Sequence, residues 1–95
     1  MDMCCRIVRA RGRVQGVGFR DSCVRHAREL GITGWVRNRL DDTVEALLQG
    51  STSQLDAMCA WLREDVPYAL VDELAITEVA PPFARHERFE RLPTL

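Results

Sequence analysis

The stretch CCRIVRARGRVQGVGFRDSCVRHAREL, Cys4–Leu30, changes its hydrophobic period part-way along, and that change decides the fold. Residues 4–11 read as a strand, with Val8 and Ala10 on one face. Residues 21–30 read as a helix, with Cys23, Ala27 and Leu30 at helical spacing and Val24 beside them. Asp21 suits the first helical turn and Arg28 the last, and Gly31 is a natural stop. Between strand and helix lie Gly12, Gly16 and Gly18, three glycines in seven positions. The chain therefore opens as a β-α unit with a glycine-rich joint.

Outward from that unit, residues 32–39 and 43–49 read as a second and third strand. The short link Leu40-Asp41-Asp42 between them implies a hairpin. Ser51-Thr-Ser-Gln54 has the spacing of a capping box, and the helix it opens carries Leu55, Met58, Cys59 and Leu62 on one face, ending before Pro67. A fourth strand is expected over 71–79, broken by Pro81-Pro82, and a short fifth over 86–92. The order is β-α-β-β-α-β. It predicts an α+β, ferredoxin-like sandwich, an antiparallel sheet with two helices on one face. Because that fold hosts many unrelated functions, function has to come from the site.

At 95 residues the chain is expected to form one domain, 1–95. Its apolar share of 46% and charged share of 28% are those of an ordinary globular domain. No segment approaches the ~20 apolar residues of a membrane span. The start, Met1-Asp2-Met3-Cys4-Cys5-Arg6, lacks the pattern of a secretory signal, so the expectation is a cytoplasmic protein with no membrane association. Cys4, Cys5, Cys23 and Cys59 form no C-x-x-C pair, and His26 and His86 lie far apart. Reduced thiols are expected rather than a metal site or disulfides.

Charge is divided unevenly. Residues 1–40 hold nine arginines against three acids, and residues 41–95 hold four against eleven. A basic first half can attract an anion, while the overall pI near 6.1 argues against a general nucleic-acid binder. The same element order also serves RNA-recognition domains, but no stacking motif of sheet aromatics is present. Every basic residue is arginine. The absence of lysine excludes a Walker-type phosphate lysine and Schiff-base chemistry.

The joint Gly12-Arg-Val-Gln-Gly-Val-Gly-Phe-Arg20 has the makings of an anion cradle. Glycines let backbone N–H groups turn inward, and a helix start presents unpaired donors and the positive end of its dipole. The planar fork of Arg20 can engage two phosphate oxygens at once. On these grounds alone the segment reads equally well as a plain connecting turn. It is no phosphotyrosine-phosphatase loop, because Val14 stands where a cysteine would be needed, and it holds no Ser, Thr, Cys, His or Asp nucleophile. Any phosphoryl chemistry here has water as the attacking group.

Gly12–Arg20 resembles the first signature of the acylphosphatase family, and Gly34-Trp35-Val36-Arg37-Asn38 resembles the second. The likeness extends through Val44-Glu45, Trp61-Leu62-Arg63 and Val79-Ala80-Pro81. It implies a phosphate-binding loop of Gln15, Gly16, Val17, Gly18, Phe19 and Arg20. Arg20 and Asn38 would be the catalytic residues, Arg20 gripping the phosphoryl group and Asn38 positioning the attacking water. The implied substrate is a small-molecule acyl phosphate, with a carboxylate and inorganic phosphate as products. No metal or cofactor and no nucleic acid are expected, and the protein is expected to act as a monomer. Domains of carbamoyl-phosphate-processing maturation factors share the likeness.

Other residues take plainer readings. Trp35 is expected to pack on the sheet, His26 to be solvated, and Cys23 and Cys59 to fill helix faces. Gln15 and Phe19 are expected to be structural members of the loop. Asp41-Asp42 departs from the Asp-Gly that family members commonly place at the hairpin, and the segment 82–89 is less typical.

Overall fold

The computed structural model describes residues 3–95; Met1 and Asp2, the start of the segment read for a signal, lie outside them. Along the chain run β1 (Cys4–Arg13), α1 (Phe19–Leu30), β2 (Thr33–Asn38), β3 (Val44–Gly50), α2 (Thr52–Glu64), β4 (Leu70–Glu78) and β5 (Phe89–Arg91). The strands form one sheet in the order β4-β1-β3-β2-β5. Four of them pair antiparallel, giving the expected ferredoxin-like core. β5 adds a parallel edge beside β2, so the sheet is mixed. Among the described residues no helix is long and apolar enough to cross a membrane.

The period-two pattern decides which face is covered. Val8 and Ala10 of β1, Val36 of β2 and Val44, Ala46 and Leu48 of β3 are buried in one cluster with Phe89 of β5. α1 packs Phe19, Cys23 and Ala27 into it, and α2 packs Leu55, Met58, Cys59 and Leu62. Removing a Leu or Met side chain of this kind from water contributes about 1.5–3 kcal/mol. The α2 start forms the expected capping box: the Ser51 hydroxyl accepts from the Gln54 amide at 3.2 Å, and Gln54 Oε1 accepts from the Ser51 amide at 2.7 Å. Gln54 Nε2 also donates to the Leu30 carbonyl at 2.8 Å, joining the second helix to the end of the first.

Two expectations shift for identifiable reasons. The fifth strand is shorter than 86–92 because the buried Gln49 side chain satisfies the backbone before it. Gln49 Nε2 donates to the Ala84 carbonyl at 2.6 Å, and its Oε1 accepts from the His86 amide at 2.9 Å. His26 is half-buried, stacked on Trp61 of α2 with ring centroids 4.2 Å apart, rather than solvated. Trp35 lies on the sheet with the Arg37 guanidinium 4.6 Å above its ring.

Candidate active site

β1, β2 and β5 all run in one direction, because β1 and β2 are each antiparallel to β3 and β5 is parallel to β2. Their C-terminal ends therefore meet at one end of the sheet. Val44 of β3 pairs with Ala10 on one side and Asn38 on the other, so Asn38 lies in the sheet row of the last regular residues of β1. Adjacent strands are about 4.8 Å apart, which places Asn38 about 10 Å across the sheet from Ala10. Period two from Gly34 and Val36, both buried, turns Asn38 toward the face where α1 begins. Its backbone is held on both sides, by the ladder to β3 and by the Leu95 amide, which donates to the Asn38 carbonyl at 3.2 Å.

The glycine-rich joint crosses from β1 to α1 over this end of the sheet. Gly16 and Gly18 adopt left-handed φ values of 76° and 79°. A Cβ at either would meet nothing within 4 Å, so the demand for glycine is conformational and not a matter of room. Gly18 is the N-cap of α1 and makes no side-chain cap hydrogen bond. The first intrahelical bond runs from the Ser22 amide to the Gly18 carbonyl at 3.1 Å, and the helical amides before it have no intrahelical carbonyl to bond. Phe19 anchors the turn in the core at 3% exposure, and Val17 packs partly against it.

Gln15 lies outside the cleft and braces it. Its Nε2 donates to the Arg39 and Thr43 carbonyls, both at 2.9 Å, tying the loop to the β2–β3 hairpin just beyond Asn38. The hairpin closes with the Arg39 amide on the Thr43 carbonyl at 2.8 Å and Asp42 at a left-handed φ of 72°. Asp41 Oδ1 accepts from the Thr43 hydroxyl at 2.6 Å and the Thr43 amide at 3.1 Å. Those bonds hold the Asp41 carboxyl below the usual carboxylate range.

The outcome is a cleft of about 90 Å³ lined by Val14, Gly16, Gly18, Phe19, Arg20, Asp21, Asn38 and Arg91. Arg20 and Asn38, eighteen residues apart in sequence, share it, and among the described residues Arg20 makes no ion pair. One lining residue, Arg91, and the ion pair it forms with Asp21 are not singled out by the sequence. Arg91 Nη1 donates to Asp21 Oδ1 at 2.9 Å. The signal existed: Phe89 is apolar, and a strand step of two places Arg91 on the same face. The remaining titratable candidates lie elsewhere. Cys23 is wholly buried, and burial pushes its thiol up to about 12; burial also raises Cys59. Among the described residues no cluster of metal-ligating side chains occurs.

The Acylphosphatase family model matches residues 6–91, from the first strand to the fifth and including every lining residue of the cleft. The chain belongs to the acylphosphatase family. It is 63% identical over 90 residues to Acylphosphatase 1 of Ralstonia nicotianae, covering 95% of this chain and 88% of that one. The acylphosphatase of Polaromonas naphthalenivorans is 57% identical over 89 residues, covering 94% and 88%. The solved acylphosphatase of Coxiella burnetii superposes with a TM-score of 0.89 at 32% identity, covering 96% of this chain and 94% of that one. That of Bacillus subtilis superposes at 0.86 with 33% identity, covering 96% and 99%. Family membership makes the protein a hydrolase of the acylphosphatase type.

Proposed function

We propose that residues 1–95 act as one cytoplasmic, monomeric acylphosphatase domain that hydrolyses small-molecule acyl phosphates to a carboxylate and inorganic phosphate. The observation that carries this reading is the meeting of the uncapped start of α1, Arg20 and Asn38 in one small cleft. The amides of the 15–20 loop and the Arg20 fork hold the three non-bridging phosphoryl oxygens. Their N–H groups are preorganised, so stabilising charge in the transition state requires little rearrangement. The Asn38 carboxamide offers an acceptor and donors, which suits it to orient a water in line with the leaving oxygen.

The water oxygen bonds to phosphorus as the bond from phosphorus to the acyl oxygen breaks. The carboxylate leaves with that electron pair, needing no strong general acid. Asp21 Oδ1 is engaged by Arg91, and Asn38 is no base near neutral pH, so the water's proton passes to the phosphate. Neither metal nor cofactor enters this scheme.

Phosphate release from an acyl phosphate, measured with chelator present, tests the reading. Turnover should persist with chelator. Arg20→Gln should abolish it and weaken phosphate binding. Asn38→Ala should lower kcat at least 100-fold while phosphate affinity stays within a few-fold. Near-normal turnover by Asn38→Ala would remove the water-positioning role, and no hydrolysis by the wild type would remove the function.

A further inference from the structure

We propose that Arg91, braced by Asp21, is a specificity-determining residue that takes a second anionic group on the acyl part of the substrate. This rests on the acyl-phosphate reading above and deepens it: the favoured substrates are acyl phosphates of acids that carry a further carboxylate.

The cleft fixes where the acyl part goes. At about 90 Å³ it is well below the roughly 300 Å³ at which pockets begin to enclose drug-sized ligands. It therefore takes the phosphoryl group and leaves the acyl part at its rim. At the rim stand Asp21 and Arg91, with side chains 64% and 51% exposed. The apolar lining residues Val14 and Phe19 are buried, so they offer an acyl chain no greasy surface. What the rim presents is charge.

The Arg91–Asp21 pair has little to do with stability, because both side chains are exposed and water screens their attraction. Its consequence is orientation. One guanidinium N–H is spent on Asp21 Oδ1, and that contact holds the planar group against the first turn of α1. The guanidinium has five N–H donors, so an edge remains for a carboxylate, which it matches in a bidentate fashion. Arg20 and Arg91 outnumber Asp21, which leaves the lining with an excess positive charge after the pair is formed.

The test compares two trans four-carbon acyl phosphates, fumaryl phosphate and crotonyl phosphate. They differ in a carboxylate against a methyl, and the trans double bond keeps that carboxylate from attacking its own anhydride. The readout is the ratio of kcat/KM for the two substrates within each preparation, which is insensitive to the fraction of protein that is folded. Arg91→Gln should lower the fumaryl-to-crotonyl ratio about tenfold, and Arg91→Lys, which keeps the charge and loses the fork, about threefold. Raising ionic strength should lower the wild-type ratio and leave the Arg91→Gln ratio flat. A ratio that Arg91→Gln leaves unchanged would overturn the proposal. An unchanged ratio with kcat/KM lowered equally on both substrates would place Arg91 on the phosphoryl group instead. Failure of the wild type to hydrolyse either compound would instead reject the underlying acyl-phosphate reading.

Discussion

Gln15 is where loop geometry and strand geometry are joined, and replacing it by methionine isolates that joint. Methionine keeps the length and approximate volume of the side chain and removes both donors. Two hydrogen bonds of 2.9 Å are lost, one to the Arg39 carbonyl and one to the Thr43 carbonyl. Each is worth about 0.5–1.5 kcal/mol net. Neither carbonyl is orphaned, because Arg39 O still accepts from the Asp42 amide at 3.2 Å and Thr43 O from the Arg39 amide at 2.8 Å. The desolvation penalty of an unpaired carbonyl is thus avoided, and the total should be about 1–3 kcal/mol. With a urea m-value of about 1 kcal/mol/M for a small domain, the unfolding midpoint should fall by about 1–3 M. Catalysis should suffer separately. Arg20 keeps its place at the start of α1, while the loop loses its register to the hairpin that carries Asn38. Misplacement by about 1 Å between reacting groups costs up to about 100-fold. We expect kcat to fall about tenfold or more, with phosphate affinity within threefold. Gln15→Glu should do worse than methionine, since it turns an acceptor toward two carbonyls. An unfolding midpoint unchanged in Gln15→Met would refute the hydrogen-bond accounting. A lowered midpoint with kcat within twofold of wild type would refute the positioning role and leave Gln15 a structural brace only.

Two further perturbations probe the surroundings of the site. Asp42 sits at φ 72°, where a β-carbon is strained, and among the described residues its side chain forms no hydrogen bond. Asp42→Gly should therefore stabilise the protein by about 0.5 kcal/mol, after glycine's own entropy cost, and raise Tm by about 2–4 °C in calorimetry, whereas Asp42→Ala should lower it. Burial pushes the Cys23 thiol up to about 12, against about 8.5 in an unfolded chain. Its folded pKa is raised, so its contribution is complete below pH 8.5 and is lost as pH climbs toward 12. Urea midpoints of the wild type should decline between pH 8.5 and 10.5, at up to about 1.4 kcal/mol per pH unit from this group, and Cys23→Ala should show the shallower slope. Equal slopes would mean that the thiolate is tolerated in the core.

What the sequence disclosed about this molecule tracks the range over which each feature is decided. The capping box at Ser51 and Gln54, the stop at Gly31 and the alternation of β1 and β3 are settled within a few residues, and they were legible. Each element falls within about two residues of its expected bounds, apart from β5, which begins at Phe89 and not at His86. The failures lie where a partner distant in sequence decides. His26 reads as solvated along its own helix, and it is the crossing of α1 and α2 that brings Trp61 onto its ring. Gln49 alternates onto the face away from the helices, yet it is 1% exposed because residues 84–86 fold across it and bond to both ends of its amide.

The site divides along the same line. Composition and glycine spacing leave the 12–20 joint open between an anion cradle and a turn, and the pairing of two motifs is what lends it a chemical meaning. The sheet supplies the physical reason those motifs belong together. In a split βαβ unit the first and second strands run parallel with a third between them, so residues at their ends are neighbours in space however long the helix joining them. Arg20 and Asn38 meet by that topology. β5 extends the same rule by one strand: lying parallel to β2, it runs toward the same end of the sheet, with Arg91 opposite Val36, two residues before Asn38. The step of two from Phe89 puts Arg91 on the covered face, but a short edge strand carries too little sequence to announce its direction, so the end of the sheet that Arg91 reaches is decided by the ladder to β2. The direction of β5 is thus the fact that turns an unremarked arginine into a wall of the cleft.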